Sequence, residues 1–189
     1  MELEIRNELH HYKTSLHHSQ HHTGLYFHLN YNLKNYAEAL KNYDLLGELA
    51  ESKESLLEAF EGKMRCNFLL RNYPIAIEAA NSLLKSDNVS SEQINEAHFL
   101  LAQSYYAVEQ FGKALQEYRI SEQLAENESG AESKFMIAQI GYEQKNYEEA
   151  EKIILELSND YAYYDYWVAK GFILLSDVYL ALDNTFQAK

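Results

Sequence analysis

Along most of this chain apolar residues recur at three- and four-residue intervals between polar ones, the period of helices that bury a single face. Residues 91–126 show it clearly. Phe99, Leu100, Ala102, Tyr105 and Tyr106 form one apolar face, and Leu115, Tyr118 and Leu124 form the next. The pattern predicts helices over 2–16, 21–34, 36–50, 53–70, 74–86, 91–108, 111–126, 130–144, 147–158 and 162–183. Start signals agree with these ranges. Ser90 with Gln93, and Ser129 with Glu132, have capping-box spacing, in which each side chain satisfies an amide the helix leaves open. Pro74 falls in a first turn, where its missing N–H costs nothing. Connections this short predict antiparallel neighbours.

A phrase recurs between the helices of each pair: Asn35-Tyr36-Ala37-Glu38-Ala39, Asn72-Tyr73-Pro74-Ile75-Ala76, Gln110-Phe111-Gly112-Lys113-Ala114, Asn146-Tyr147-Glu148-Glu149-Ala150 and Asn184-Thr185-Phe186-Gln187-Ala188. Its closing alanines are 37, 38, 36 and 38 residues apart. A fixed period of this size marks a solenoid, in which each unit buries its apolar face only by stacking on its neighbours. The unit reads as helix A, a tight turn carrying Asn, then helix B. The repeated alanine lets the two helices approach closely, and a larger side chain there overpacks the joint.

The expected architecture is therefore all-α, one array over residues 1–189. A His-rich helix occupies 1–20, and helix pairs follow near 21–50, 53–86, 91–126, 130–158 and 162–189. The last phrase stops at Lys189, where its helix B is due. The fifth unit is thus expected to be truncated, and the chain to be a piece of a longer protein.

Charge and composition narrow the partner. With 29 acidic and 16 basic residues the formal charge is −13, which argues against nucleic acid, whose phosphates need clustered Lys and Arg. An excess of this sign steers toward basic patches or simply solvates helix surfaces. Cys66 is the only cysteine, so it forms no disulfide within the chain and packs as a small hydrophobe. The charged first twenty residues do not themselves read as a secretion signal, and no stretch approaches the roughly 20 apolar residues that span a bilayer.

Chemistry is sparse. No Gly-rich phosphate loop, nucleophile elbow or two-cysteine metal motif occurs, and the glutamates follow helix-surface spacing. Pairs at His10-His11, His17-His18 and His21-His22 place imidazoles four residues apart, a spacing able to hold Zn²⁺. The helix is expected to break near Ser19, and no carboxylate or thiolate completes the set, so no metal or cofactor is assigned. Tyr161, Tyr163, Tyr164, Tyr166 and Trp167 form the densest aromatic cluster, expected to wedge one helix pair against the next.

On these residues the chain resembles the tetratricopeptide repeat family, which has about 34 residues per helix pair and small residues at fixed positions. Aligned on the repeated alanines, unit three supplies Leu101, Ala102, Tyr105, Ala114, Tyr118 and Ser121. Unit five supplies Leu175, Ser176, Tyr179 and Ala188. Phe27, Met64 and Leu157 depart, being large where the family is small. The resemblance covers roughly residues 20–189 and implies a right-handed superhelix of about five repeats. In overall character the chain is similar to bacterial envelope repeat proteins that accompany outer-membrane assembly and the Tol-Pal system, which implies a periplasmic or envelope location.

The resemblance further implies that helix A lines a concave groove through its second, fifth, ninth and twelfth positions. In unit three these are Glu96, Phe99, Gln103 and Tyr106; in unit four Glu132, Phe135, Gln139 and Tyr142. Neighbouring units offer His28 and Tyr31, Arg65 and Phe68, and Asp177. Rings supply contact area and amides fix register for a bound segment. Packing between helices is the competing role for the rings. Arg65 and Asn67 alone do not make the basic clamp that some such domains use on a C-terminal carboxylate. The expected function is non-catalytic binding of a peptide or protein. The alternatives are a spacer that self-associates through its open last unit, and a regulator sensing a small ligand.

Overall fold

In the computed structural model the described residues are 34–183. They form eight α-helices with no strand among them: α1 (Tyr36–Leu49), α2 (Lys53–Leu69), α3 (Tyr73–Leu84), α4 (Ser91–Ala107), α5 (Phe111–Leu124), α6 (Glu128–Glu143), α7 (Tyr147–Asp160) and α8 (Asp165–Ala181). The expected helices 2–16 and 21–34, the histidine pairs, His28, Tyr31, Phe27 and the fifth phrase lie outside the described residues.

Contacts divide the chain into two compact units, residues 1–89 and 90–189. In the first, α1 packs on α2 and α2 on α3. In the second, each of α4 to α7 packs on its successor, and α6 also packs on α8.

One turn is built three times. After α2, α4 and α6 the chain passes through a left-handed residue, Arg71 (φ 62°), Glu109 (φ 60°) and Lys145 (φ 64°). The following amides of Asn72, Gln110 and Asn146 reach back to the carbonyls of Asn67, Tyr105 and Gly141 at 2.8 Å. Arg71, Glu109 and Lys145 themselves donate to Phe68, Tyr106 and Tyr142 at 2.9 to 3.0 Å. This pair of bonds is the Schellman ending, which satisfies carbonyls orphaned at a helix C-terminus. The Asn or Gln then opens the next helix. Its carbonyl accepts from the repeated alanine, Ala76, Ala114 or Ala150, at 3.0 Å. Its side chain makes no cap bond to that helix. The periodic phrase is thus the transition from one helix to the next written in sequence.

The repeated alanines Ala39, Ala76, Ala114 and Ala150 are at most 1% exposed, so a bulkier side chain at any of them has no solvent to enter. An aromatic pair braces each turn: Phe68 with Tyr73 at 5.9 Å, Tyr106 with Phe111 at 5.4 Å, and Tyr142 with Tyr147 at 5.7 Å between ring centres. All three are tilted or edge-on, the geometry that ring quadrupoles favour.

Helix starts follow local chemistry. Ser90 and Gln93 form the expected capping box, at 3.2 and 3.0 Å. Ser52 caps α2 by accepting from Ser55 N–H at 3.1 Å. The box expected at Ser129 and Glu132 does not form. Asn127 takes the cap instead, accepting from Ser129 and Gly130 N–H at 3.0 and 3.3 Å, because Asn is as good a cap and α6 begins two residues earlier than expected. Pro74 stands in the first turn of α3 as expected.

Candidate functional site

Counting back from the left-handed residue puts equivalent positions of α4, α6 and α8 in register. Thirteen, ten, six and three residues before Glu109 stand Glu96, Phe99, Gln103 and Tyr106; before Lys145 stand Glu132, Phe135, Gln139 and Tyr142. Asp183 (φ 58°) is the corresponding residue after α8. The same count there gives Lys170, Ile173, Asp177 and Leu180. Spacings of three and four keep each set on one helix face.

The first two sets are laced together. Gln103 Nε2 donates to Glu132 Oε1 at 2.7 Å, from α4 to α6. Tyr106 Oη and Gln139 Nε2 donate to one oxygen of Glu143, at 2.8 and 2.9 Å. Four of the expected residues therefore join in two hydrogen-bonded groups between α4 and α6, the second completed by an acid the sequence did not single out. Glu143 lies four residues after Gln139, the one signal that pointed to it. Burial holds the Glu132 carboxyl above the usual range, against the opposing pull of the Gln103 hydrogen bond and of Lys170. Burial first and then Glu143 push the Tyr106 phenol up to about 12.

Phe135 is withdrawn, 4% exposed. The Trp167 ring lies 5.6 Å from it, and Lys170 Nζ stands 4.5 Å from its centre. The same ammonium is 4.7 Å from Trp167 and 5.6 Å from Tyr166, a cation held by three ring faces. Phe99 and Tyr142 are half-buried against the core of the second unit, and Glu96 is half-buried as well. Asp177 is exposed. Arg65 and Phe68 belong to the first unit, where Arg65 pairs with Glu61 at 2.5 Å and Phe68 braces the turn after α2. Lys170, Ile173 and Leu180 were missed because α8 replaces the acid and rings of α4 and α6 with a lysine and aliphatics, leaving only the register to reveal them.

The aromatic cluster divides by position. Tyr161 is buried and its Oη donates to the Ala125 carbonyl at 3.0 Å; Tyr164 Oη donates to that of Glu126 at 3.1 Å. These phenols close the carbonyl end of α5 from the loop before α8, the wedge anticipated for the cluster. Gly130 leaves room for it, since a Cβ there would stand 2.7 Å from Tyr161 Oη and still closer to the Ala125 carbonyl. Tyr163 and Tyr166 face solvent.

Residues 69–157 match the family model described as anaphase-promoting complex, cyclosome, subunit 3. With the all-helical repeat just described, the match decides the class. The chain is a tetratricopeptide-type repeat protein. No curated protein matches it.

Repeats of the tetratricopeptide type serve in general as scaffolds for protein–protein interaction. No helix among the described residues is long and apolar enough to cross a membrane, and none of them form a group of three or more His, Cys, Asp or Glu able to hold a metal. Cys66 is buried and its thiol is pushed up to about 11 by that burial, in keeping with a packed hydrophobe.

Proposed function

We propose that this tetratricopeptide-type array binds a peptide or protein segment along the helix-A face of its second unit, without catalysing a reaction. Glu96, Phe99, Gln103, Tyr106, Glu132, Gln139, Tyr142 and Asp177 are the contact residues, with Phe135 as the floor beneath Lys170. In the first unit Arg65 and Phe68 take the corresponding role. The observation carrying this reading is the hydrogen-bond lacing of Gln103 to Glu132 and of Tyr106 and Gln139 to Glu143. Side chains already held in one geometry lose little entropy on binding, so the partner bears most of the ordering cost.

The test is capture of partners by the full chain and by its Gln103/Tyr106/Gln139/Tyr142 alanine variant, with folding of both verified by circular dichroism. A protein held by the parent and released by the variant supports the reading; identical capture by both ends it. A spacer that assembles with itself is favoured by one observation, the exposure of Phe172, Ile173 and Leu180 on α8. Sedimentation equilibrium separates that reading, since it requires a mass that rises with concentration.

A further inference from the structure

We infer that the third rung of the ladder, Ile173, Asp177 and Leu180 on α8 together with Glu143 on α6, receives an amphipathic helix whose apolar face is flanked by Lys or Arg. The inference rests on the binding reading above and names its partner class.

Ile173 and Leu180 are 68% and 56% exposed, large aliphatics in the open. With Asp177 they stand at i, i+4 and i+7, one straight row of a helix. The equivalent row on α6 shows what covers such a face. There a helix, α8, lays Trp167 on Phe135 and brings the Lys170 ammonium to the same ring. An apolar side chain and a lysine together cover Phe135 in the α6 row, and Ile173 stands at the same register position of α8. Its charges ask for the same sign. Where α4 has Gln103, which donates to the Glu132 carboxylate of α6, α8 has Asp177, which can only accept. The occupant must therefore donate. Glu143 adds a second exposed carboxylate with one oxygen already oriented by Tyr106 and Gln139. Exposed charges on α8 are Asp165 and Asp177, and Asp183 follows it. Lys170 is turned to its rings, so a second α8 would meet like charge, and a second copy of this chain is disfavoured.

The experiment uses the full chain and two synthetic helix-forming peptides with leucine at i, i+3, i+4 and i+7, one with lysine and one with glutamate at the flanking positions, in titration calorimetry. The expected result is binding of the lysine peptide about three- to tenfold tighter than the glutamate peptide, a difference that shrinks as salt rises. Asp177→Asn with Glu143→Gln should erase the preference, and Ile173→Ser with Leu180→Ser should weaken both peptides. Equal binding of the two peptides by the parent overturns the inference. So does self-association abolished by Ile173→Ser, which makes a second copy the occupant. Binding seen only after removal of residues 184–189 makes that segment the occupant and likewise overturns it. Should the charge variants leave the captured partners unchanged while the Gln103/Tyr106/Gln139/Tyr142 variant loses them, the inference fails and the binding reading stands.

Discussion

Two joints in the second unit hold the same register and solve it oppositely. Seven residues after the repeated alanine, α5 carries Ser121 and α7 carries Leu157, both fully buried. Twelve residues before the left-handed turn, the next helix carries Ser133 in α6 and Gly171 in α8. Both positions are small at the first joint, and at the second a large one stands against a glycine. A Cβ on Gly171 would stand 3.1 Å from a Leu157 methyl and 3.3 Å from one of Ile154. The first joint is polar as well. Lys134, next to Ser133, is 8% exposed, and its ammonium reaches Asp160 at 2.6 Å, Glu122 at 3.4 Å and Glu156 at 3.5 Å. At the same register α8 has Phe172, half exposed. Where one position of the joint is large the facing one gives up its side chain, while the chemistry is free to change.

If that is right, Leu157→Ala is the most damaging single change, at about 2–4 kcal/mol, because the cavity cannot collapse onto a glycine. Adding Gly171→Ala should return about 1 kcal/mol, since the methyl now has room and alanine suits a helix. Urea denaturation of the two single variants and the double measures the coupling. Strict additivity would break the comparison. Ser121→Ala, which removes only the 3.1 Å bond to Asn95, should cost about 1 kcal/mol.

The ionic joint is next. Lys134→Ala should cost about 1–3 kcal/mol, reduced from the fully buried case because Glu156 and Asp160 remain partly in water. Burial pulls the Lys134 ammonium down, but Asp160 and Glu122 together outweigh it and raise the group above its usual value. A raised lysine contributes its stability fully below the unfolded value and loses it as pH climbs through the folded one. The parent should therefore lose more stability than Lys134→Met above about pH 10.5. The Tyr161 phenol, pushed up to about 12, titrates in the same range, so the parent-minus-variant difference is the quantity to follow. A difference flat in pH would mean that Lys134 acts through its hydrocarbon stem alone.

These contrasts show what the sequence made legible. The period, the turn phrase, the buried alanines and the helix pairs follow from local rules of spacing and capping, and the described residues follow them closely. The wedge of Tyr161 was likewise readable, because a dense aromatic cluster at a unit boundary has few other places to go. Gly171 opposite Leu157 was not readable, since compensation between helices is a matter of three-dimensional register. Glu143 was hidden for a related reason: an exposed glutamate near a helix end looks like solvation until Tyr106 and Gln139 are seen to share it. The Ser129 box failed because two good caps stood two residues apart, and spacing alone does not rank them.

The turn itself offers a smaller effect. Lys145 sits at φ 64° without being glycine, a conformation costing about 1–2 kcal/mol for a residue with a Cβ. Lys145→Gly relieves this but adds about 0.5–1 kcal/mol of unfolded-state entropy. The net expectation is a gain of about 0.5 kcal/mol, visible as a shifted urea midpoint with unchanged slope. The same substitution at Glu109 should behave alike, and opposite signs at the two sites would show that the turns are not equivalent.

The smallest effect concerns the rung where α6 and α8 differ in sign, Glu132 against Lys170. Burial raises the Glu132 carboxyl, overriding Gln103 and Lys170. A raised carboxyl costs the fold nothing below its unfolded value and destabilises as pH rises through the folded one, because the native state holds its proton longer. Glu132→Gln keeps an amide oxygen to accept from Gln103 and removes the buried charge. Parent and variant should therefore melt alike near pH 4, and the variant should be the more stable at pH 7 by a fraction of about 1 kcal/mol, given that the carboxylate remains partly in water. A variant less stable at pH 7 would mean that attraction to Lys170 outweighs burial. The cation over Phe135 would then be held as much by the acid of α6 as by the rings around it.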